Sequence, residues 1–302
     1  MNFFSKSASK VLALGIFSLL LTIGASSVSA KEVTVGAKNF TEQYVVGEMM
    51  ALLLENGGYD VSKKMGTGSS ITRTALTSGQ IDIYAEYTGT AWPLYLKHDE
   101  KVGDPKELYE KVKAEDLERN GIVWLDRSKI NNTFALAIRK GDAEKLGTSI
   151  SELTEYNNSH PEELVFGIGS EFNERPDGIP GIIETYGIEL TTGQRKLMDI
   201  GLTFEAINRG QIDVAMAYPT DGKLVKFDLL VLEDDKKFFP AYNLCVTVRK
   251  EFIDVNPDVV EILAPISELD NEIMQELNYK VDAVGLPADV VAREYLEEKG
   301  LI

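Results

Sequence analysis

Short runs that alternate apolar and polar residues are each followed by a stretch with helical spacing. Residues 33–38 predict a strand, and the apolar positions between Val45 and Leu54 predict a helix that ends near Gly57. We expect Asn39 to cap this helix, because Glu42 follows it three residues later. The repeated order of strand and helix predicts βαβ units and a mixed, mostly parallel sheet.

The same patterns predict the other elements. Further strands are expected at residues 59–63, 134–138, 164–169, 229–232 and 243–249, and a loop at residues 66–70. Further helices are expected at residues 106–120, 179–186 and 202–208, with two more that begin at Pro257 and Pro287.

One phrase occurs twice in the chain. Residues 79–83 read GQIDI and lead to Tyr87, and residues 210–214 read GQIDV and lead to Tyr218. Each copy follows an apolar helical stretch, so each predicts a helix, a tight turn at glycine and a strand that ends near the tyrosine. Open α/β sheets bind ligands beyond the carboxyl ends of their strands. The repeat therefore predicts two similar lobes, each of which offers one ring to a shared cleft.

The C-terminal helices lack a sheet of their own and are assigned to the first lobe. The chain then crosses between lobes twice, near residues 131–134 and 239–242, and two crossings make a hinge. We expect a first lobe of residues 31–132 and 241–302 and a second lobe of residues 133–240.

Residues 1–30 have the pattern of a secretory signal peptide. Lys6 and Lys10 precede an apolar run at residues 11–24, and small residues precede the expected cleavage after Ala30. The run is shorter than the roughly 20 residues of a membrane span. Because no cysteine other than Cys245 is present, no lipid-attachment site follows it. We therefore expect a soluble periplasmic protein.

Charge and motifs exclude several function classes. The net charge of −17 argues against nucleic acid as a partner. His98 and His160 are far apart and lie outside any zinc motif, and the chain has no Gly-x-Ser-x-Gly elbow or P-loop. We expect no cofactor, no metal and no enzyme activity. No second apolar stretch predicts a membrane span, so a transport role would need a separate permease.

Four aromatic residues are expected to converge on the cleft. Tyr87 and Tyr218 end the repeated strands, and Phe134 and Tyr242 lie at the two crossings. Singly, each ring could be a boundary residue packed under a loop. Together, ring faces without a metal or nucleophile suit a quaternary ammonium group, at about 0.5–2 kcal/mol per contact.

A second set of residues would hold an anion. Lys38 and Arg175 each precede a predicted helix, and helix N-termini and cations favour a carboxylate. Thr90 could add a hydroxyl. Lys38 and Arg175 could instead form surface ion pairs. Both cations together favour a zwitterion such as betaine or carnitine over choline.

The chain resembles the substrate-binding proteins of osmoprotectant ABC importers, which capture glycine betaine, carnitine and choline. The motifs that carry the resemblance are KNFTEQ at residues 38–43, EYTGT at 86–90, NNTFAL at 131–136, EFNERPDG at 171–178, AYPTDG at 217–222 and FPAYN at 239–243. The resemblance implies a two-lobed periplasmic-binding-protein fold of type II. The position of Phe134 is usually tyrosine in that family.

The resemblance also implies roles for individual residues. The trimethylammonium box maps onto Tyr87, Phe134, Tyr218 and Tyr242, the carboxylate ligands map onto Lys38, Thr90 and Arg175, and Asn132 and Glu171 map onto secondary positions that shape or bridge the pocket. The expected partners are an ABC permease with its ATPase, and the expected state is a monomer.

Three other functions stay open at the level of sequence. The same fold could bind an amino acid, whose α-ammonium would need a carboxylate such as Glu171 in the cleft. The protein could be a solute sensor that docks on a receptor. An enzyme acting on choline esters would need a nucleophile or metal that the motifs do not supply.

Overall fold

The computed structural model describes residues 31–302, and the predicted signal peptide at residues 1–30 lies outside the described residues. Within residues 31–302, ten strands form two sheets of five strands each. Helices flank both sheets. The predicted α/β class with mixed, mostly parallel sheets is confirmed.

The first sheet contains four parallel strands and one antiparallel strand. Its spatial order is β2 (Tyr59–Thr67), β1 (Lys31–Lys38), β3 (Ile83–Tyr87), β10 (Asn243–Arg249) and β4 (Ile122–Asn131). β1 pairs in parallel with β2 and β3, whereas β10 is antiparallel to β3 and β4. The last strand of the chain thus lies inside the sheet that the first four strands form.

The second sheet repeats this arrangement. Its spatial order is β7 (Arg195–Leu197), β6 (Phe166–Ile168), β8 (Val214–Ala217), β5 (Ala135–Arg139) and β9 (Leu229–Val231). β6 is parallel to β7 and β8, and β5 is antiparallel to β8 and β9. The chain passes from the first sheet to the second between β4 and β5 and returns between β9 and β10. The lobe boundaries given above stay a prediction.

Helices fill the remaining length of the described chain. They are α1 (Thr41–Asn56), α2 (Ser69–Thr77), α3 (Thr88–Thr90), α4 (Pro105–Asn120), α5 (Ala143–Leu146), α6 (Ile150–Ser159), α7 (Ser170–Glu174), α8 (Ile179–Tyr186), α9 (Ile200–Asn208), α10 (Gly222–Lys226), α11 (Lys250–Val255), α12 (Val259–Leu263), α13 (Asn271–Tyr279) and α14 (Ala288–Glu298). Short π-helical turns follow α3 and α13 at Ala91–Tyr95 and Lys280–Val284. Short 3-10 turns lie at Lys140–Asp142 and Ala264–Glu268.

The first copy of the repeated phrase fastens three strands of the first sheet together. Asp82 lies just before β3, and its carboxylate accepts a hydrogen bond from the backbone N–H of Thr34 in β1 at 2.8 Å. The same carboxylate pairs with the guanidinium of Arg249, the last residue of β10, at 2.5 Å. The aspartate of the phrase is therefore a structural residue.

Asp213 makes the equivalent contacts in the second sheet. Its carboxylate accepts a hydrogen bond from the backbone N–H of Val165 at 3.0 Å and pairs with Arg139, the last residue of β5, at 3.0 Å. Both phrases begin at a left-handed glycine, with φ of +74° at Gly79 and +67° at Gly210, a conformation that favours glycine. The repeat in the sequence is thus a repeat of sheet-building contacts.

The core lies between the sheets and their helices. Helix α1 buries the apolar stripe that predicted it, with Val45, Val46, Met49, Met50 and Leu54 fully covered. Helix α14, near the end of the chain, packs against α1 of the first sheet. A second cluster around Tyr84, Trp124 and Cys245 covers the opposite face of that sheet.

Two predicted helix starts were wrong. Helix α1 begins at Thr41 and its N-cap is the extended residue Phe40, not Asn39. Glu42 does not close a capping box, because its carboxylate accepts a hydrogen bond from the hydroxyl of Tyr87 instead. Pro257 lies in a turn, and α12 begins two residues later. The predicted loop at residues 66–70 is also shorter, because β2 runs to Thr67 and α2 begins at Ser69.

Candidate functional site

The candidate site lies where the parallel strands of both sheets end. Lys38 ends β1, Tyr87 ends β3, and Tyr218 follows β8 directly. Phe134 and Tyr242 precede the antiparallel strands β5 and β10, which begin where their parallel neighbours end. Strand direction alone therefore brings all five side chains to the same edge of their sheets.

One cavity of about 50 Å³ lies at this edge. The nine residues proposed from sequence all line it: Lys38, Tyr87, Thr90, Asn132, Phe134, Glu171, Arg175, Tyr218 and Tyr242. Six further residues complete the wall, namely Phe40, Ser69, Gly169, Phe172, Ile200 and Met216. The structure thus brings the whole predicted set together, and its binding of a ligand stays a prediction.

Aromatic rings dominate the wall of the cavity. The ring centroid of Phe134 lies 5.5 Å from that of Tyr218, 5.3 Å from that of Tyr242 and 4.7 Å from that of Phe172. The Phe134–Tyr242 pair meets edge to face. Such separations are those of aromatic pairs in direct contact. The cluster therefore presents several ring faces and edges to one small space.

Phe40 adds another ring to the wall, and sequence reasoning missed both it and Phe172. The centroid of the Phe40 ring lies 5.4 Å from that of Tyr218 and 6.3 Å from that of Tyr87, and both pairs are stacked. Phe40 thus stands between the two tyrosines that the repeat had predicted as opposing walls. The signal was available, because Phe40 is the second residue after β1, close to the kind of strand end that identified Tyr218.

The hydroxyl of Tyr87 is fixed by a buried polar network. It donates to Glu42 Oε1 at 2.5 Å and accepts a hydrogen bond from Gln43 Nε2 at 3.2 Å. Asn132 Nδ2 donates to the same Glu42 oxygen at 2.9 Å. Burial raises the pKa of the Glu42 carboxyl, and the hydrogen bonds from Tyr87 and Asn132 act in the opposite direction. Asn132 thus shapes the site through Glu42, which holds the Tyr87 ring in place.

Lys38 is buried and already paired. Its ammonium contacts Glu86 Oε1 and lies 5.1 Å from the centroid of the Tyr87 ring. Glu86 accepts three more hydrogen bonds, from the backbone N–H of Tyr87 at 2.7 Å and from the hydroxyls of Tyr84 and Tyr95 at 2.7 and 3.0 Å. All lone pairs of this carboxylate face donors, so the Lys38–Glu86 pair is a fixed part of the wall.

Arg175 is also buried and paired. Its Nε and Nη2 donate to the two oxygens of Asp177 at 2.7 and 2.5 Å, a bidentate contact. The hydroxyl of Tyr242 donates to Asp177 as well. The guanidinium lies 5.0 Å from the centroid of the Phe134 ring. Asp177 therefore joins the cation to Tyr242, a role that the sequence-based set of site residues did not include.

Glu171 and Thr90 complete the polar part of the site. Glu171 Oε1 accepts a hydrogen bond from Arg175 Nη1 at 3.1 Å, and 45% of its side chain is exposed. Thr90 is buried, one residue after Gly89, whose missing side chain lets the Tyr242 ring approach. A Cβ on Gly89 would lie 2.8 Å from that ring.

The side chains that usually bind metal ions are scattered in the part of the chain that the structure describes. In residues 31–302, His, Cys, Asp and Glu form no group of three or more that could hold a metal ion. Cys245 lies buried in β10, and burial raises the pKa of its thiol.

Among residues 31–302, the helices are too short or too polar to span a membrane.

Comparison with known families accounts for this arrangement. Residues 31–298 match the family described as the substrate binding domain of ABC-type glycine betaine transport system. The chain belongs to this family. The resemblance inferred from the motifs is thereby confirmed, and so is the prediction that the chain is not an enzyme, because the family consists of binding domains of transporters.

Two relatives illustrate the breadth of the similarity. The chain is 39% identical over 285 residues to the glycine-betaine-binding protein of Pseudomonas aeruginosa, covering 92% of this chain and 91% of that protein. It is 33% identical over 296 residues to the ergothioneine transport permease/ergothioneine binding protein EgtU of Helicobacter pylori. That match covers 96% of this chain and 52% of the relative, so the chain spans about half of EgtU.

A solved structure shares the fold. It is described as a glycine betaine/carnitine/choline ABC transporter, and it superposes with a TM-score of 0.73 at 29% sequence identity. The match covers 90% of this chain and 99% of the solved one. The predicted architecture of a periplasmic binding protein is confirmed by this likeness together with the two observed sheets.

Proposed function

We propose that this protein binds a quaternary ammonium solute of the glycine betaine, carnitine or choline type and delivers it to the permease of an ABC importer. One observation carries the proposal. Five rings from both sheets, those of Phe40, Tyr87, Phe134, Tyr218 and Tyr242, converge on the cavity at the strand ends. A trimethylammonium group offers no strong hydrogen-bond donor, and ring quadrupoles are the groups that attract it.

The polar side of the cavity suits the other end of a betaine. Lys38 uses one of its three donors on Glu86, and Asp177 pairs with Nε and Nη2 of Arg175 but leaves Nη1, which contacts Glu171, on the cavity side. Thr90 lies on the same wall. A ligand carboxylate would therefore meet donors that are already positioned by fixed ion pairs, which lowers the entropic cost of binding.

The proposed mechanism is closure of two lobes on the solute. The rings come from segments that belong to different sheets, and the chain crosses between the sheets twice, so a hinge at the crossings would change the space between the rings. We further propose that the chain is exported by its signal peptide, acts as a monomer outside the cytoplasmic membrane, and serves a permease that is driven by an ATPase.

Calorimetric titration tests the proposal. The ligands are glycine betaine, carnitine, choline, ergothioneine and proline, and the variants are Tyr218→Ala, Tyr218→Phe and Tyr279→Ala. Tyr279 is 38% exposed and lies outside the cavity wall, so it is the matched control. We expect the wild type to bind a trimethylammonium compound, Tyr218→Ala to bind it about tenfold more weakly, and the other two variants to retain binding.

Two results would reject the proposal. One is tighter binding of proline than of every trimethylammonium compound. The other is an equal effect of Tyr218→Ala and Tyr279→Ala. Ergothioneine belongs in the panel because it is itself a trimethylammonium betaine and because EgtU is named for it.

An amino acid is the alternative ligand class, and Tyr87→Ala separates it from the proposed one. The substitution should abolish binding of a quaternary ammonium group, which depends on the ring. It should only weaken binding of an amino acid, whose α-ammonium would pair with a carboxylate such as Glu171.

A further inference from the structure

The carboxylates around the two site cations differ in how firmly they are held. Asp177 accepts hydrogen bonds from two guanidinium nitrogens of Arg175 and from the hydroxyl of Tyr242. Its side chain is 10% exposed. Glu86 receives four donors and is fully buried. Both are fixed, because breaking a buried pair leaves an uncompensated charge.

Glu171 is held by a single contact. The only hydrogen bond of its carboxylate in the described structure is the one at 3.1 Å from Arg175 Nη1, and its side chain is 45% exposed. Arg175 is buried, but it stays paired with Asp177 when Glu171 leaves, and the half-exposed Glu171 carboxylate then accepts hydrogen bonds from water. Glu171 can therefore leave Arg175 at small cost, whereas Asp177 cannot.

The charges of the wall make Glu171 the carboxylate in excess. Lys38 is balanced by Glu86, and Arg175 is balanced by Asp177. Glu171 adds one further negative charge that faces the same cavity. When Glu171 contacts Arg175, the two balanced ion pairs and Glu171 together carry one negative charge, which suits a cationic ligand. With Glu171 turned away, Arg175 presents a free N–H to a carboxylate.

We propose that Glu171 is a specificity-determining residue that occupies the place where Arg175 would receive a ligand carboxylate. A betaine must displace Glu171 from Arg175, and a choline-type cation keeps it in place. The relative affinity for a zwitterion and a cation is therefore set by Glu171. This inference rests on the proposed function, because it concerns the same site and the same class of ligand.

The test compares Glu171→Gln with Glu174→Gln by calorimetric titration with glycine betaine and with choline. Glu174 lies in the same helix α7, is exposed and is outside the cavity wall, so its substitution makes the same charge change without the contact. We expect Glu171→Gln to shift the ratio of the two dissociation constants about tenfold in favour of glycine betaine. Glu174→Gln should leave the ratio unchanged.

A further variant separates contact from charge. Glu171→Asp keeps the negative charge but is one methylene shorter, so it should shift the ratio in the same direction and by less. Circular dichroism establishes that each variant is folded. If Glu171→Gln proves unfolded, the shift with Glu171→Asp decides alone. An unchanged ratio in the folded Glu171 variants, or an equal shift with Glu174→Gln, would overturn the inference while leaving the proposed function intact. Failure of the wild type to bind either ligand would overturn both.

Discussion

The ring of Phe40 stacks on the ring of Tyr218, with centroids 5.4 Å apart. Phe40 follows β1 of the first sheet and Tyr218 follows β8 of the second, so this contact joins the two sheets across the site. We expect Phe40→Ala to weaken glycine betaine binding about tenfold, because it removes a ring face and loosens Tyr218. Titration calorimetry measures the change. Phe40→Tyr keeps the face and should bind nearly as well as the wild type; equal losses in both variants would contradict a role for the ring face.

Gly89 controls the position of the Tyr242 ring. A Cβ there would lie 2.8 Å from two ring carbons of Tyr242 and 2.9 Å from the carbonyl oxygen of Ala241. We expect Gly89→Ala to push the ring aside, at a cost of about 1–3 kcal/mol in unfolding free energy, and to weaken ligand binding. The control is Gly103→Ala, since a Cβ at Gly103 meets nothing within 4 Å. Chemical denaturation and titration of both variants give the comparison, and indistinguishable variants would show that Tyr242 can adapt.

The hydroxyl of Tyr87 should contribute more to the stability of the fold than to the binding of the ligand. Tyr87→Phe leaves the ring but removes the donor at 2.5 Å from Glu42, a buried carboxyl whose other oxygen already lacks a protein partner. We expect a loss of about 1–3 kcal/mol in unfolding free energy and a smaller loss of affinity than with Tyr87→Ala. Urea denaturation measures the first and titration the second. Unchanged stability would mean that Glu42 does not depend on this hydrogen bond.

The two aspartates of the repeat should stabilise the fold without affecting the ligand. The Asp82–Arg249 contact is shorter than the Asp213–Arg139 contact, at 2.5 Å against 3.0 Å, and the Asp82 side chain is the less exposed, at 14% against 27%. We expect Asp82→Ala to cost about 2–3 kcal/mol and Asp213→Ala about 1–2 kcal/mol in unfolding free energy. Ligand affinity should stay within the error of titration. A change of affinity in the folded variants would assign the phrase a direct role in binding.

Asp221 should make the protein less stable as the pH rises. Burial raises the pKa of its carboxyl to about 8, and the nearby carboxylates of Asp282 and Glu42 act in the same direction. The carboxyl of an unfolded chain ionises near pH 4. Between about pH 4 and pH 8 the native state therefore holds a proton that the unfolded state has lost, so this contribution to stability is complete below pH 4 and is lost as the pH approaches 8.

Asp221→Asn removes that contribution but keeps an oxygen to accept the Tyr218 N–H, now bonded at 2.7 Å. Asp221 is only half-buried, so solvent screens part of this effect. We therefore expect the decline in unfolding free energy from pH 5 to pH 8 to be smaller in Asp221→Asn than in the wild type by about 1–3 kcal/mol. Urea denaturation at both pH values measures the decline. The exposed Asp289→Asn is the control, and an equal decline in all three proteins would refute the assignment.

Local patterns predicted the strands and helices that bury one clear face. The stripe of α1 and the repeated phrase identified their elements because apolar spacing and a left-handed glycine are local properties. The strand β4 was missed, because its sequence IVWLDRSKIN mixes charges with apolar residues along an edge of the sheet. Asn39 was wrongly taken as a cap because Glu42 has a stronger partner in Tyr87, which is 45 residues away in sequence.

The candidate site was predictable to the extent that strand ends predict it. The positions of Tyr87, Tyr218, Phe134 and Tyr242 at the ends or starts of predicted strands indicated that these residues lie together. The net charge of the site could not be predicted in the same way, because the ion-pair partners of Lys38 and Arg175 depend on side-chain geometry. Glu86 precedes Tyr87 in β3 and was read only as part of a motif, yet it neutralises Lys38.

The two sheets exchange one strand each. Taken along the chain, the ten strands form two successive sets of five, and the fifth strand of each set is inserted between the third and fourth strands of the other set: β5 lies in the second sheet and β10 in the first. The two sets of strands thus have the same arrangement, and each contributes its last strand to the sheet of the other. Each half therefore needs an interior strand of the other to complete its sheet. Neither half can unfold without opening both sheets, so the protein should melt in one cooperative transition, which calorimetry would record as a single peak.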